Sequence, residues 1–169
     1  MRCVTDANVW IDLDYGGLLG RAFELGDDLV IPDVIFYEEV FTPDTGLLLR
    51  LGIQVSGLTG AQLTALIDTL AGRYPRASLR DLSSLILARD EGSVLVTGDK
   101  ALRKAAEKEG VEVHGVLWVL DRLVSEAGLL PVEAARSLRL MLRGGARLPK
   151  VEVEKRLREW EGDGGGVPQ

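Results

Sequence analysis

The sequence predicts an α/β protein with helices around a central, mostly parallel sheet, and three observations carry that reading. Short apolar strand-like runs alternate with stretches of helical period, the pattern of βα units. Two of the runs, Arg2–Thr5 and Ser93–Thr97, are followed closely by aspartate, Asp6 and Asp99. The chain of 169 residues is the size of one folded domain, and its 46% hydrophobic and 27% charged content is that of a globular protein.

Arg2-Cys3-Val4-Thr5 reads as a buried first strand and Asp28-Leu29-Val30-Ile31 as a second. Pro32 then suits the first turn of a helix, where its missing N–H costs little. Ile53-Gln54-Val55 is a short strand. Thr59 caps a helix to about Gly72, with Leu63, Leu66, Ile67 and Leu70 at helical spacing. Ser78 or its neighbours cap the next, in which Leu82, Leu85, Ile86 and Arg89 keep the same period up to Gly92. Ser93–Thr97 is the clearest strand. An amphipathic helix from Lys100 to Glu109, a strand over Val111–Val113, and helices over about Val116–Ala127, from Pro131 to Gly144, and over Val151–Trp160 complete the reading. The expected organisation is a domain over 1–120, a helical extension over 121–161 packed on it or at a dimer interface, and a disordered tail over 162–169.

Cys3 is the single cysteine and His114 the single histidine, which leaves neither an internal disulfide nor a Cys/His zinc cluster. No run approaches the roughly 20 apolar residues of a membrane span, and the N-terminus does not read as a signal peptide, so a cytoplasmic protein is expected. The formal charge of -6 argues at first sight against a nucleic-acid partner. Its distribution qualifies that. Residues 1–50 hold ten acids against three bases, whereas Arg136, Arg139, Arg143, Arg147 and Lys150 face no acid between Ala134 and Val151. Arg136, Arg139 and Arg143 share a helical face, which reads either as a solvated surface or as a contact for RNA phosphates or an acidic partner.

In an open α/β sheet, ligands bind beyond the carboxyl ends of the strands, where Asp6 and Asp99 fall. Glu38, in the helix after Pro32, and Asp81, in the first turn of the helix after Ser78, border the same crevice. Each acid near a helix N-terminus has a plain structural reading, favouring the helix dipole. Four at matching positions would repel one another without a cation. Hard oxygen ligands of this kind select Mg²⁺ or Mn²⁺, and such an ion supports hydrolysis of a phosphodiester.

Four segments then carry a family resemblance: Thr5-Asp6-Ala7-Asn8, Ile31 to Glu38, Asp81 to Ala88, and Leu95-Val96-Thr97-Gly98-Asp99-Lys100. In this order they resemble the PIN-domain nucleases, which include the toxins of toxin–antitoxin pairs. The resemblance implies a three-layer α/β/α PIN-like fold with a parallel sheet and C-terminal helices. It implies a metal-dependent ribonuclease acting on single-stranded RNA, with Asp6, Glu38, Asp81 and Asp99 as catalytic metal ligands. Asn8 and Thr97 would hold those carboxylates by hydrogen bonds. A homodimer and an antitoxin partner are expected on the same ground. Glu39 could exchange with Glu38 by a one-residue slip, and Lys100–Arg103 lacks the further acid some relatives carry after the Thr-Gly-Asp turn. Two rival readings remain: a non-catalytic PIN-like module binding RNA or protein, and a haloacid-dehalogenase-type phosphatase. The phosphatase needs an acid where Asn8 stands.

Overall fold

The computed structural model describes residues 1–40 and 44–162. The expected tail over 162–169 lies, beyond Gly162, outside the described residues. Five strands form one sheet: β1 (Arg2–Thr5), β2 (Asp28–Pro32), β3 (Gln54–Ser56), β4 (Val94–Val96) and β5 (Val113–His114). Their order is β3-β2-β1-β4-β5, and every pairing is parallel. The strands alternate between two apolar faces, because successive side chains point to opposite sides. Cys3, Leu29, Ile31, Val94 and Val96 enter one core, while Val4, Val30 and Leu95 enter the other. A sheet buried on both faces has no polar side to show, which is why its strands read as continuous apolar runs.

From β1 the chain proceeds to β2 and β3 in one direction, then returns across β1 to β4 and β5. Right-handed crossovers send the two sets of connections to opposite faces. On the first face lie α1 (Ala7–Tyr15), α2 (Leu19–Phe23), α3 (Asp33–Glu38) and α4 (Thr45–Leu51). The second face carries α5 (Gly60–Ala65), a π-helical turn over Leu66–Leu70, α6 (Ala71–Arg73), α7 (Leu79–Glu91) and α8 (Lys100–Lys108). Finally α9 (Val116–Glu126), α10 (Pro131–Arg143) and α11 (Lys150–Glu161) return to the first face. The result is a three-layer α/β/α fold with C-terminal helices.

The structure departs from the sequence reading in local ways. The helix expected from Thr59 to Gly72 is three pieces around a π turn, so Leu66 and Leu70 are buried while Leu63 and Ile67 stay exposed. The last strand covers Val113–His114 in place of Val111–Val113, since Leu95 and Thr97 N–H groups reach the carbonyls of Glu112 and His114. The third strand is likewise displaced to Gln54–Ser56. No break falls at residue 120, because α9 runs through it and Leu120, Leu123, Ala134, Leu138 and Met141 join Trp10 and Leu13 in one core.

Two ion-pair hubs tie the layers. Asp27, at the entry to β2, has a side chain only 4% exposed and pairs with Arg122 of α9, whose guanidinium also grips Glu126 and lies 4.9 Å from the Trp118 ring centroid. On the other face Glu109 is reached by the Tyr74 hydroxyl at 2.6 Å, Arg73 at 2.7 Å and Arg89 at 3.1 Å. The Tyr74 hydrogen bond first, and then the two arginines, hold the Glu109 carboxyl below its ordinary range against the opposing effect of burial. A group so depressed stabilises the fold above its unfolded pKa, and that contribution is lost as pH falls through the folded value. Glu109→Gln is therefore expected to lower stability by about 1–3 kcal/mol at neutral pH. In acid the difference from the parent should narrow, which urea unfolding at two pH values measures.

Candidate active site

Asp6 follows β1 directly. Its backbone N–H donates to the Val96 carbonyl at 3.3 Å, and the register that sets Thr5 beside Val96 places Asp6 beside Thr97. The sheet changes direction between β1 and β4, so these carboxyl ends form the topological switch point where a crevice opens. Asp6 is 3% exposed. One carboxylate oxygen accepts from the Val9 N–H at 3.2 Å, capping α1, and the other accepts from the Thr97 hydroxyl. The same hydroxyl accepts the Asp99 N–H at 3.0 Å, so one threonine links both strand ends.

Asp99 caps α8, accepting from the Leu102 N–H at 2.7 Å. Asp81 forms a reciprocal cap with Ser78 at the start of α7, accepting from the Ser78 hydroxyl at 2.7 Å and its N–H at 3.0 Å. The structural reading of these acids thus holds: each stabilises a helix N-terminus. It does not exhaust them. Burial pushes the Asp6 carboxyl up to about 6 despite the hydrogen bonds from Thr97 and Val9, and the charges of Asp81 and Asp99 push it further in the same direction. Among the described residues none of the three has a basic partner. A buried carboxylate whose charge is disfavoured by burial and by two neighbouring aspartates, with no counter-ion, has the chemistry that a hard divalent cation satisfies.

The donor set fits such an ion in kind, while the side chains do not stand as a ready cage. Among the described residues no group of three or more His, Cys, Asp or Glu side chains is arranged to hold a metal. Asp81 and Asp99 are turned to their caps, and Glu38 is elsewhere. Glu38 ends α3 with its side chain 51% exposed, and it pairs with Arg80 at 2.7 Å; Glu39 meets the same guanidinium at 3.2 Å. The structure therefore sets Asp6 within reach of the charges of Asp81 and Asp99 without arranging the three as a ligand group, and leaves both candidate glutamates on Arg80. Asn8 is exposed, and among the described residues its side chain makes no hydrogen bond to the acids, unlike Thr97. The phosphatase reading finds no acid there either.

Two residues that support the site, Thr5 and Arg103, escaped the sequence reading. Thr5 donates to the Val30 carbonyl at 3.0 Å and accepts the Trp10 indole N–H at 2.8 Å, which anchors α1 to the strand preceding Asp6. Trp10 is 1% exposed and stacks on Phe23 at 5.5 Å, so it backs the site from the core and does not line the crevice. Arg103 spans the ends of β4 and β5, donating to the carbonyls of Val113 at 3.2 Å and Thr97 at 3.4 Å. It occupies the stretch where an extra acid was missing, and that absence was the available signal.

This five-stranded parallel arrangement with acids at the switch point is what the family comparison addresses. A family model described as a PIN domain matches residues 2–162. The chain belongs to the PIN-domain family. Among solved structures, the chain is similar to a PilT N-terminus domain protein from the archaeon Sulfolobus solfataricus P2. That likeness has a TM-score of 0.51 at 15% identity and covers 72% of this chain and 92% of the other. At that identity the likeness concerns the fold. No curated protein matches the chain.

The PIN-domain match includes the C-terminal helices, and Arg143, the last of their predicted basic face, lies away from the crevice. A Cβ added to Gly16, just past α1, would meet Met141 Cε at 2.6 Å, and Gly144 backs onto the Tyr15 ring. The C-terminal end of α10, with Arg143, thus packs at the far end of α1 from Asp6, about 13 Å along the helix. Arg139 forks onto Glu161 at 2.8 and 2.9 Å, while Arg136 and Arg143 are exposed. The Arg136–Arg143 face is therefore less uniformly basic than the local sequence implies. No helix among the described residues is long and apolar enough to cross a membrane.

Proposed function

We propose that this PIN-domain chain is a metal-dependent ribonuclease that hydrolyses phosphodiester bonds of single-stranded RNA, using Mg²⁺ or Mn²⁺. The observation that supports this most is Asp6, buried without a basic partner at the switch point of a PIN-domain sheet, where the charges of Asp81 and Asp99 reach it. Asp6, Asp81 and Asp99 would hold the ion. When bound, such an ion supplies charge for a phosphoryl oxygen and a water of lowered pKa. The chain's own residues do the rest. Thr97 fixes the Asp6 carboxylate and the Asp99 backbone together, and Thr5 with Trp10 keeps the strand end rigid. Glu38 is the proposed fourth acid, completing the set or orienting the attacking water.

A non-catalytic PIN-like module is the second reading, favoured by the absence, among the described residues, of a ready group of three ligands. Purified protein incubated with single-stranded RNA, with and without Mg²⁺ or Mn²⁺, separates the two. RNA loss that requires both the cation and Asp6 supports the nuclease, and intact RNA in every arm supports the module. The proposal includes the role of toxin in a toxin–antitoxin pair, with an antitoxin as partner and a homodimer as assembly. Co-expression with a neighbouring small reading frame and light scattering test these two parts.

A further inference from the structure

Arg103, on α8, is held beside the crevice by the residue that links its acids. One nitrogen donates to the Thr97 carbonyl at 3.4 Å and another to the Val113 carbonyl at 3.2 Å, while the Thr97 hydroxyl bonds both Asp6 and the Asp99 N–H. Only Thr97 separates this guanidinium from the buried Asp6. Asp99 stands four residues before it, the spacing of a helical ion pair. The Asp99 carboxylate caps Leu102 instead, and among the described residues Arg103 forms no ion pair. The two carbonyls leave the remaining donors of the fork, and the whole of its charge, unused. Lys100 and Lys104 are exposed, lie one turn either way on the same helical face, and likewise form no ion pair among the described residues. No acid interrupts α8 before Glu107. Elsewhere the fold ties its arginines to acids, as in Arg89 to Glu109, Arg139 to Glu161 and Arg156 to Asp121.

We propose that the first two turns of α8 guide the RNA backbone past the crevice, with Arg103 as the fixed contact to a phosphate beside the acids and Lys100 and Lys104 as mobile contacts to its neighbours. This rests on RNA being the ligand, as proposed above, and not on the metal. A polyanion that approaches Asp6, Asp81 and Asp99 meets repulsion, and three unneutralised cations at the same strand ends offset it. Arg103 is the strongest of the three by construction. Its carbonyl bonds already fix the side chain, so little rotamer freedom is lost when a phosphate arrives, and a planar fork presents paired donors to phosphate oxygens. The arginines of α10 offer no such arrangement, because Arg139 is spent on Glu161 and Arg143 lies at the far end of α1.

The test is fluorescence anisotropy of a labelled single-stranded RNA with the full-length protein in EDTA, so that metal plays no part, over a series of salt concentrations. The wild type is compared with Arg103→Gln, Arg103→Lys, the pair Lys100→Gln and Lys104→Gln, and the pair Arg136→Gln and Arg143→Gln on α10. Arg103→Gln is expected to weaken binding about five- to tenfold and to lower the slope of log affinity against log salt by about 0.7, the share of one phosphate contact on a single strand. Arg103→Lys should restore the slope, the α8 lysine pair should lower it by a similar amount, and the α10 pair should leave it unchanged. A loss of affinity in Arg103→Gln with an unchanged slope would make Arg103 a brace of the strand ends alone and overturn the proposal. So would an equal change in the α10 pair, or a wild type that binds no RNA. Should Arg103→Gln unfold, the exposed lysine pair carries the same test. RNA bound with the expected pattern yet intact after addition of Mg²⁺ or Mn²⁺ would remove the ribonuclease reading and leave this one standing. Metal-dependent cleavage with unchanged slopes in every α8 variant would do the reverse.

Discussion

Asp6→Asn is expected to lower metal-dependent RNA cleavage by about a thousandfold while making the metal-free protein more stable. The loss corresponds to about 4 kcal/mol of transition-state stabilisation, the scale on which a metal-held charge acts. The gain follows from the position of the Asp6 carboxyl, which burial raises to about 6. Between the ordinary carboxylate range and that value the folded chain binds a proton that the unfolded chain does not. Stability therefore falls as pH rises from about 4 to 6, by on the order of 3 kcal/mol for this group. Asp12, which burial alone also raises to about 6, has the same sign. Asparagine at position 6 keeps the shape and removes the buried charge. Thermal unfolding of the metal-free pair at pH 5 and pH 7 should show the variant above the parent at pH 7 and the gap narrowing at pH 5. A variant that is less stable at both values would show that the carboxylate is better solvated than its burial implies. Such an opposition between function and stability is common where a site concentrates charge.

Thr97→Val has the second largest expected effect, since one hydroxyl serves two acids. The substitution nearly preserves volume, yet it removes the donor to Asp6 and the acceptor for the Asp99 N–H. Residues that orient a ligand in this way are worth about 10–100-fold in metal affinity or activity. Loss of the Thr97 hydrogen bond, which holds the Asp6 carboxyl down, should carry that group further up. The pH at which cleavage turns on is thus expected to move upward in Thr97→Val, and cleavage profiles from pH 5 to pH 9 would reveal it. Thr97→Ser, which restores the hydroxyl, should bring the profile back. An unchanged profile in Thr97→Val would mean that the bond does not govern Asp6 in solution.

The acids were legible in the sequence because strand ends and helix starts are local features. Asp6, Asp81 and Asp99 each mark a helix N-terminus, and a cap is visible from its own neighbours. The helix α1 was less visible, since Trp10 and Leu13 are separated by the polar Asp12 and the buried face depends on α9 and α10 for its partners. The π turn over Leu66–Leu70 was hidden for a related reason: its apolar residues keep helical spacing, and packing alone decides which of them are buried. The basic series on α10 shows the limit of counting charges along the chain. Arg139 finds Glu161 only because α10 and α11 fold back on each other.

What the sequence by itself determined, with α1, α2 and α4 left unread, is the α/β class, the order of its five strands, and the identity of the acids at strand ends and helix starts. Those follow from short-range patterning, which a single chain displays without reference to its fold. Which acids share a crevice was decided by tertiary structure, through the reversal of strand order that sets β1 against β4. So was the fate of Glu38, which the pattern places with the other acids and the fold places on Arg80. The physical reason is that charge interactions depend on distance and on the dielectric between groups, and neither is written in the spacing of residues along a chain.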